Sequence, residues 1–210
     1  AVKYEMKTSM QLTNKTTKDF LVGYTATATP ITMFPDGEET PADMPAMLSV
    51  GVDYRLSDAF KVSVGGNYFF DKAADYGRKL DLDNSSATPS TFVKNKDIID
   101  FNGWSANCGL ELNLSEKLLV SGGYMLSNKG VNSKYQSDLT FGLASHTFGA
   151  GGAYRIMDNL TINAGASYTQ YNKDEKEIDH VFSATGVLYK AKETYLKNTV
   201  LFGIGVDYSF

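Results

Sequence analysis

The chain has 210 residues and a net charge of −4, with no basic patch, which argues against nucleic acid as a partner. One cysteine excludes a disulfide framework, and with only His146 and His180 no Cys/His spacing makes a zinc site. No run approaches the roughly 20 apolar residues of a membrane helix, yet Tyr and Phe are abundant, Gly is frequent and Pro scarce, which suits long strands.

The first predicted strand spans 2–12, with Val2, Tyr4, Met6, Met10 and Leu12 on one face and Lys3, Glu5, Lys7 and Gln11 on the other. A long link, 13–44, follows and carries Pro30, Pro35 and Pro41. Three stretches then repeat one grammar: "MLSVGVDYRLSDAFKVSVGGNYFF" (47–70), "WSANCGLELNLSEKLLVSGGYML" (104–126) and "FGAGGAYRIMDNLTINAGASYTQY" (148–171). Each is a strand, a short turn (Ser57-Asp58-Ala59, Ser115-Glu116-Lys117 or Met157-Asp158-Asn159) and a second strand, the pattern of an antiparallel hairpin. Segment 139–156 changes phase near Ser145-His146, which predicts a bulge there. The links 72–102, 129–138 and 174–192 are longer and polar, and the last strand, "TVLFGIGVDYSF", alternates to the final Phe210.

Tight turns on one side and long polar loops on the other are the asymmetry of outer-membrane barrels. Along the strands one face is apolar: Leu48, Val50, Val52, Tyr54 and Leu56, then Phe60, Val62, Val64, Tyr68 and Phe70, then Leu110, Leu112, Val120 and Ile162. The other face carries Lys3, Glu5, Lys7, Asp53, Arg55, Lys61, Glu111 and Asp207, the candidate lumen-facing residues. Eleven residues at ~3.3 Å each, tilted ~45°, rise about 26 Å, close to a hydrocarbon core. Aromatics near strand ends fit two interfacial girdles. The strands are longer than the ~5–6 residues usual in a soluble sandwich. The expected fold is therefore all-β: a transmembrane, antiparallel, up-and-down β-barrel of about eight strands, forming one domain over 1–210.

The closing alternation Phe202, Ile204, Val206, Tyr208, Phe210 resembles the signal that outer-membrane proteins present to the barrel-assembly machinery. The stretch "DMPAMLSVGVDYRLSDAFKVSVGGNYFFDKAADYG" (43–77) looks like the later part of FadL-type transporters. The ending "GAGGAYRIMDNLTINAGASYTQYN…LFGIGVDYSF" is similar to that family's closing strands. The resemblance covers roughly 40–210. It implies an outer-membrane channel that takes up long-chain fatty acids and other hydrophobic compounds passively, without a cofactor and without enzymatic chemistry. Members are about twice this long, with about fourteen strands and an N-terminal hatch, so the chain reads as the C-terminal part of a larger barrel. Implied partners are outer-membrane lipid, a hydrophobic ligand, the assembly machinery and an outer-membrane protein partner. The implied topology puts the C-terminus in the periplasm and the long loops outside. The alternative is a non-transporting barrel, either small and OmpA-like or a scaffold subunit of an outer-membrane complex.

The remaining motifs carry no chemistry. "GAGGAYR" (149–155) lacks the Gly-Lys-Ser/Thr ending of a phosphate loop and lies within a strand. "NKT" (14–16) and "NSS" (84–86) read as polar loop, and Asp174, Glu175, Glu177 and Asp179 alternate with Lys173 and Lys176 as a solvated loop does. Ser, His and Asp are joined by no hydrolase motif. Apolar residues inside the loops, above all Phe92, Val93, Ile98 and Ile99, are candidates for capturing ligand. Phe20-Leu21-Val22, Ile31–Phe34, Val181-Phe182 and Val187-Leu188-Tyr189 belong to the same class.

Overall fold

The computed structural model describes residues 1–18, 21–24, 30–32, 35–76, 78–79, 92–136, 141–182 and 187–210. One unit comprises residues Ala1–Lys3, Leu48–Tyr68 and Gly103–Phe210, and a second comprises Tyr4–Met47 and Phe69–Asn102.

Eight strands form one antiparallel sheet in chain order: β1 (Val2–Glu5), β2 (Met47–Arg55), β3 (Phe60–Phe69), β4 (Trp104–Asn113), β5 (Leu118–Asn128), β6 (Ser145–Met157), β7 (Leu160–Tyr171) and β8 (Asn198–Tyr208). The sheet is open, with β1 and β8 as its edges. The three predicted hairpins are β2–β3, β4–β5 and β6–β7, each closed by the tight turn the sequence marks. At the first turn the Leu56 amide donates to the Phe60 carbonyl at 2.9 Å, and at the second the Leu114 amide donates to that of Leu118 at 2.8 Å.

Registers carry the predicted faces across the sheet, because directly paired residues share a side. One row runs Cys108, Tyr124, Phe148, Tyr168, Val200; the next runs Leu110, Gly122, Ala150, Ala166, Phe202. This apolar face lies open: Val52 is 65% exposed, Phe202 80% and Ile204 77%. Buried apolar residues are few among those described, namely Ala46, Ala74, Ile98, Ile99, Leu143 and Tyr195. A sheet with an exposed apolar face this extensive is stable only against an apolar surrounding.

Three expectations are corrected. The strand predicted over 2–12 is broken into β1 and a short piece, Gln11–Thr13, which pairs with Glu39–Pro41. The isolated bridge Thr8↔Met44 keeps the same register, so Lys7 stands opposite Pro45, which has no N–H to give the ladder. The phase change at Ser145-His146 is the start of β6 rather than a bulge; the register shift lies at Arg155/Met157, beside the turn. The link 174–192 is largely a hairpin, Asp174–Phe182 with Val187–Tyr195.

Candidate functional site: a polar wall with an apolar back

The face opposite the apolar one carries small and hydroxylated side chains, several of them joined across strands, with Leu119, Met125 and Leu201 among them. Asn67 donates to Ser105 Oγ at 3.1 Å, the Ser127 and Ser145 hydroxyls meet at 3.0 Å, and those of Thr147 and Thr169 at 2.9 Å. Below them Ser121, Gly123, Gly151, Gly165 and Gly203 lie along a trough of about 520 Å³. Side chains this small leave the wall open to water or to a filling segment.

The candidate lumen residues take distinct places. Lys61 and Glu111 are direct cross-strand partners with charged atoms 3.9 Å apart, and Asp207 accepts a hydrogen bond from Asn163. Lys3 and Glu5 lie on β1, and Asp53 and Arg55 are exposed near the end of β2. Lys7 leaves the wall and pairs with Asp43 at 2.7 Å within the second unit. There it also donates to the Ala73 carbonyl at 2.6 Å. Asp43 gathers further donors: the amides of Met10 and Asp75, each at 3.2 Å. The hydrogen bond from Lys7, then that from the Asp75 amide, hold the Asp43 carboxyl below its usual range. Asp75 in turn accepts from the buried Asn95, whose side chain donates to the Asp71 carbonyl. Burial, reinforced by Asp71, pushes the Tyr76 phenol up to about 12.

Of the candidate ligand-capturing residues, Ile98 and Ile99 are buried in this unit, at 2% and 7% exposure. Phe92 and Val93 pair through the backbone with Arg78–Lys79, and their side chains lie outside the described residues. Phe20, Met33, Phe34 and the Asn84-Ser85-Ser86 motif also lie outside the described residues. The terminal residues Phe202, Ile204, Val206 and Tyr208 lie on the apolar face of edge β8, and the Phe210 ring meets Tyr208 edge-on at 5.2 Å.

A second cluster, missed in the sequence, ties the 174–195 hairpin to the turn at 133–136. The Gln136 amide is fully buried; it donates to the Gly142 carbonyl at 3.0 Å and to Asp174 at 3.1 Å, and accepts from the Gly142 amide at 2.8 Å. Tyr195 packs on Phe141 with ring centroids 5.6 Å apart, and the Lys197 ammonium lies over Tyr171 at 4.5 Å. Glu175 sits between Lys173 and Lys192, whose hydrogen bonds hold its carboxyl down to about 2. A glutamine inside a polar loop carries no periodic signal that would have revealed its burial.

The architecture can be compared with solved structures. A Pseudomonas aeruginosa FadL homologue matches with a TM-score of 0.57 and 14% identity, over 81% of this chain and 37% of that one. The fold is FadL-like and partial. No protein-family profile matches the chain, and no curated protein matches it. What the FadL-like fold fixes here is architecture: consecutive antiparallel strands joined by tight turns, with one apolar face and one polar face.

Proposed function

We propose that this chain forms part of an outer-membrane channel that passes hydrophobic small molecules, such as long-chain fatty acids, without chemistry. The observation that carries the reading is the inverted sheet in a FadL-like architecture: its apolar face is open and its opposite face is hydroxylated and glycine-rich. In this reading both sheet edges pair with further strands of a larger barrel, because each unpaired backbone group in lipid costs several kcal/mol. The tight turns face the periplasm and the longer segments face outside. Phe210, at the end of the apolar alternation, is read by the assembly machinery. A ligand leaving water for apolar loop surface gains about 25 cal/mol per Å² buried, and this drives capture with no energy input.

The test is uptake of a fluorescent fatty acid by intact cells that carry the full-length protein or lack it. Expected is faster, saturable uptake with the protein present. Equal uptake, with folded protein shown in the membrane by its heat-modifiable gel mobility, overturns the transport assignment and leaves a structural barrel.

A further inference from the structure

Up the apolar face of β5 to β8 the chemistry changes in layers. Rows containing Phe202, Ile204 and Val206 are aliphatic and aromatic, with small residues between. Above them Tyr124, Phe148 and Tyr168 stand side by side, with the Tyr124 and Phe148 centroids 5.1 Å apart. On β6 to β8 the next row is polar, His146, Gln170 and Asn198, beside Leu126 of β5. This order of aliphatic, aromatic and hydrogen-bonding rows matches the acyl, interfacial and headgroup layers of one lipid leaflet.

His146 is half-buried, and its Nδ1 lies 2.6 Å from the Tyr124 hydroxyl. A phenol is a better donor than acceptor, so the hydroxyl is assigned as donor and Nε2 carries the ring proton. Nε2 has no partner among the described residues. Paired residues on this side are Leu126 and Gln170, with Tyr124 diagonal, so no carboxylate stands in the row to take the Nε2 proton. An N–H donor fixed just above an aromatic row has the chemistry to bond a phosphate oxygen, at the level where the girdle places a lipid headgroup.

We propose that His146, oriented by Tyr124, binds the phosphate of an outer-membrane lipid whose acyl chains lie on the apolar rows below. This rests on the outer-membrane reading, and the test separates the two. The full-length protein with ¹⁵N-histidine is reconstituted in phosphatidylglycerol vesicles and examined by ³¹P–¹⁵N solid-state NMR, with the His146 signals assigned by their loss in His146→Gln. The His146 Nε2 signal is expected to dephase against phosphorus. In vesicles of a galactolipid without phosphate the dephasing is expected to vanish and to stay absent when inorganic phosphate is added. Tyr124→Phe is expected to reduce it at least twofold in folded protein, because the tautomer is no longer fixed. A bimane label at position 202 is expected to be quenched by brominated acyl chains. Quenching at 202 with no dephasing at His146 overturns the headgroup site alone. Absent quenching overturns the membrane placement itself. Dephasing restored by inorganic phosphate in the galactolipid overturns the lipid as the source.

Discussion

At the residue scale the most constrained positions are glycines where strands approach closely. A Cβ at Gly66 would stand 2.8 Å from the Ser105 carbonyl oxygen, and one at Gly152 would stand 2.8 Å from that of Leu119. Backbone cannot yield as a side chain can, so the strands would have to part. Gly66→Ala and Gly152→Ala are each expected to lower stability by about 1–3 kcal/mol, the usual cost of overpacking. Gly203→Ala is the control, since nothing lies within 4 Å of its added Cβ. Urea unfolding in lipid vesicles, followed by Trp104 fluorescence, measures the difference; equal effects at Gly152 and Gly203 would remove the close-approach argument. These glycines are visible in the sequence, but their neighbours are not. Gly66 meets a residue almost forty positions later, and only the register reveals it. Likewise Ile98 and Ile99 read as loose apolar loop residues, and only the fold shows them buried.

At the element scale, the hairpins β2–β3, β4–β5 and β6–β7 were legible because their apolar residues recur every second position and their turns carry Asp, Asn or Ser. The hairpin Asp174–Phe182 with Val187–Tyr195 was not, because near its base the period-two signal lies in charges rather than in apolar residues. Glu177 pairs in register with Lys192, and Asp179 with Lys190. Such a ladder looks like a solvated loop until the strands are aligned. The break in the first strand was hidden for a related reason: its cause, Pro45, lies across from it in the link before β2, far away in sequence. The hairpin's charges give it a pH dependence. Glu175 titrates near 2 when folded, against an ordinary 4.5, because Lys173 and then Lys192 stabilise its ionised form. A depressed carboxylate contributes stability above its unfolded value and loses it as pH falls through the folded one. The base of the hairpin is therefore expected to loosen between about pH 4.5 and 2. Solution NMR in detergent micelles should show the Glu175 side-chain resonance titrating near 2, with the Thr194 amide shifting alongside it. The Thr194 titration should disappear in Glu175→Gln. A Glu175 midpoint near 4.5 in the wild type would show the two lysines disengaged in solution.

At the scale of the whole molecule the deciding feature is the far side of β8. The Ser209 amide donates to the Asn159 carbonyl at 3.0 Å, and the register toward β7 is unbroken from there. In an antiparallel ladder the bonded residues alternate, so the odd residues of β8 turn their N–H and C=O groups toward β7. Val200, Phe202, Ile204, Val206 and Tyr208 turn theirs the other way. Proline tests that side, because it removes one N–H and is tolerated in sheets only where that N–H is free. Gly203→Pro cuts the bond to β7 and is expected to prevent formation of a heat-modifiable barrel. If β8 is paired on its far side, as the larger-barrel reading requires, Ile204→Pro and Val206→Pro in the full-length protein are expected to be as damaging as Gly203→Pro. Ile204→Ala controls for the lost side chain. Normal levels of folded protein for Ile204→Pro and Val206→Pro, with none for Gly203→Pro, would show β8 to be a true edge. The sheet would then have to be shielded from lipid there by something other than a strand, because a row of free N–H groups has no partner in hydrocarbon.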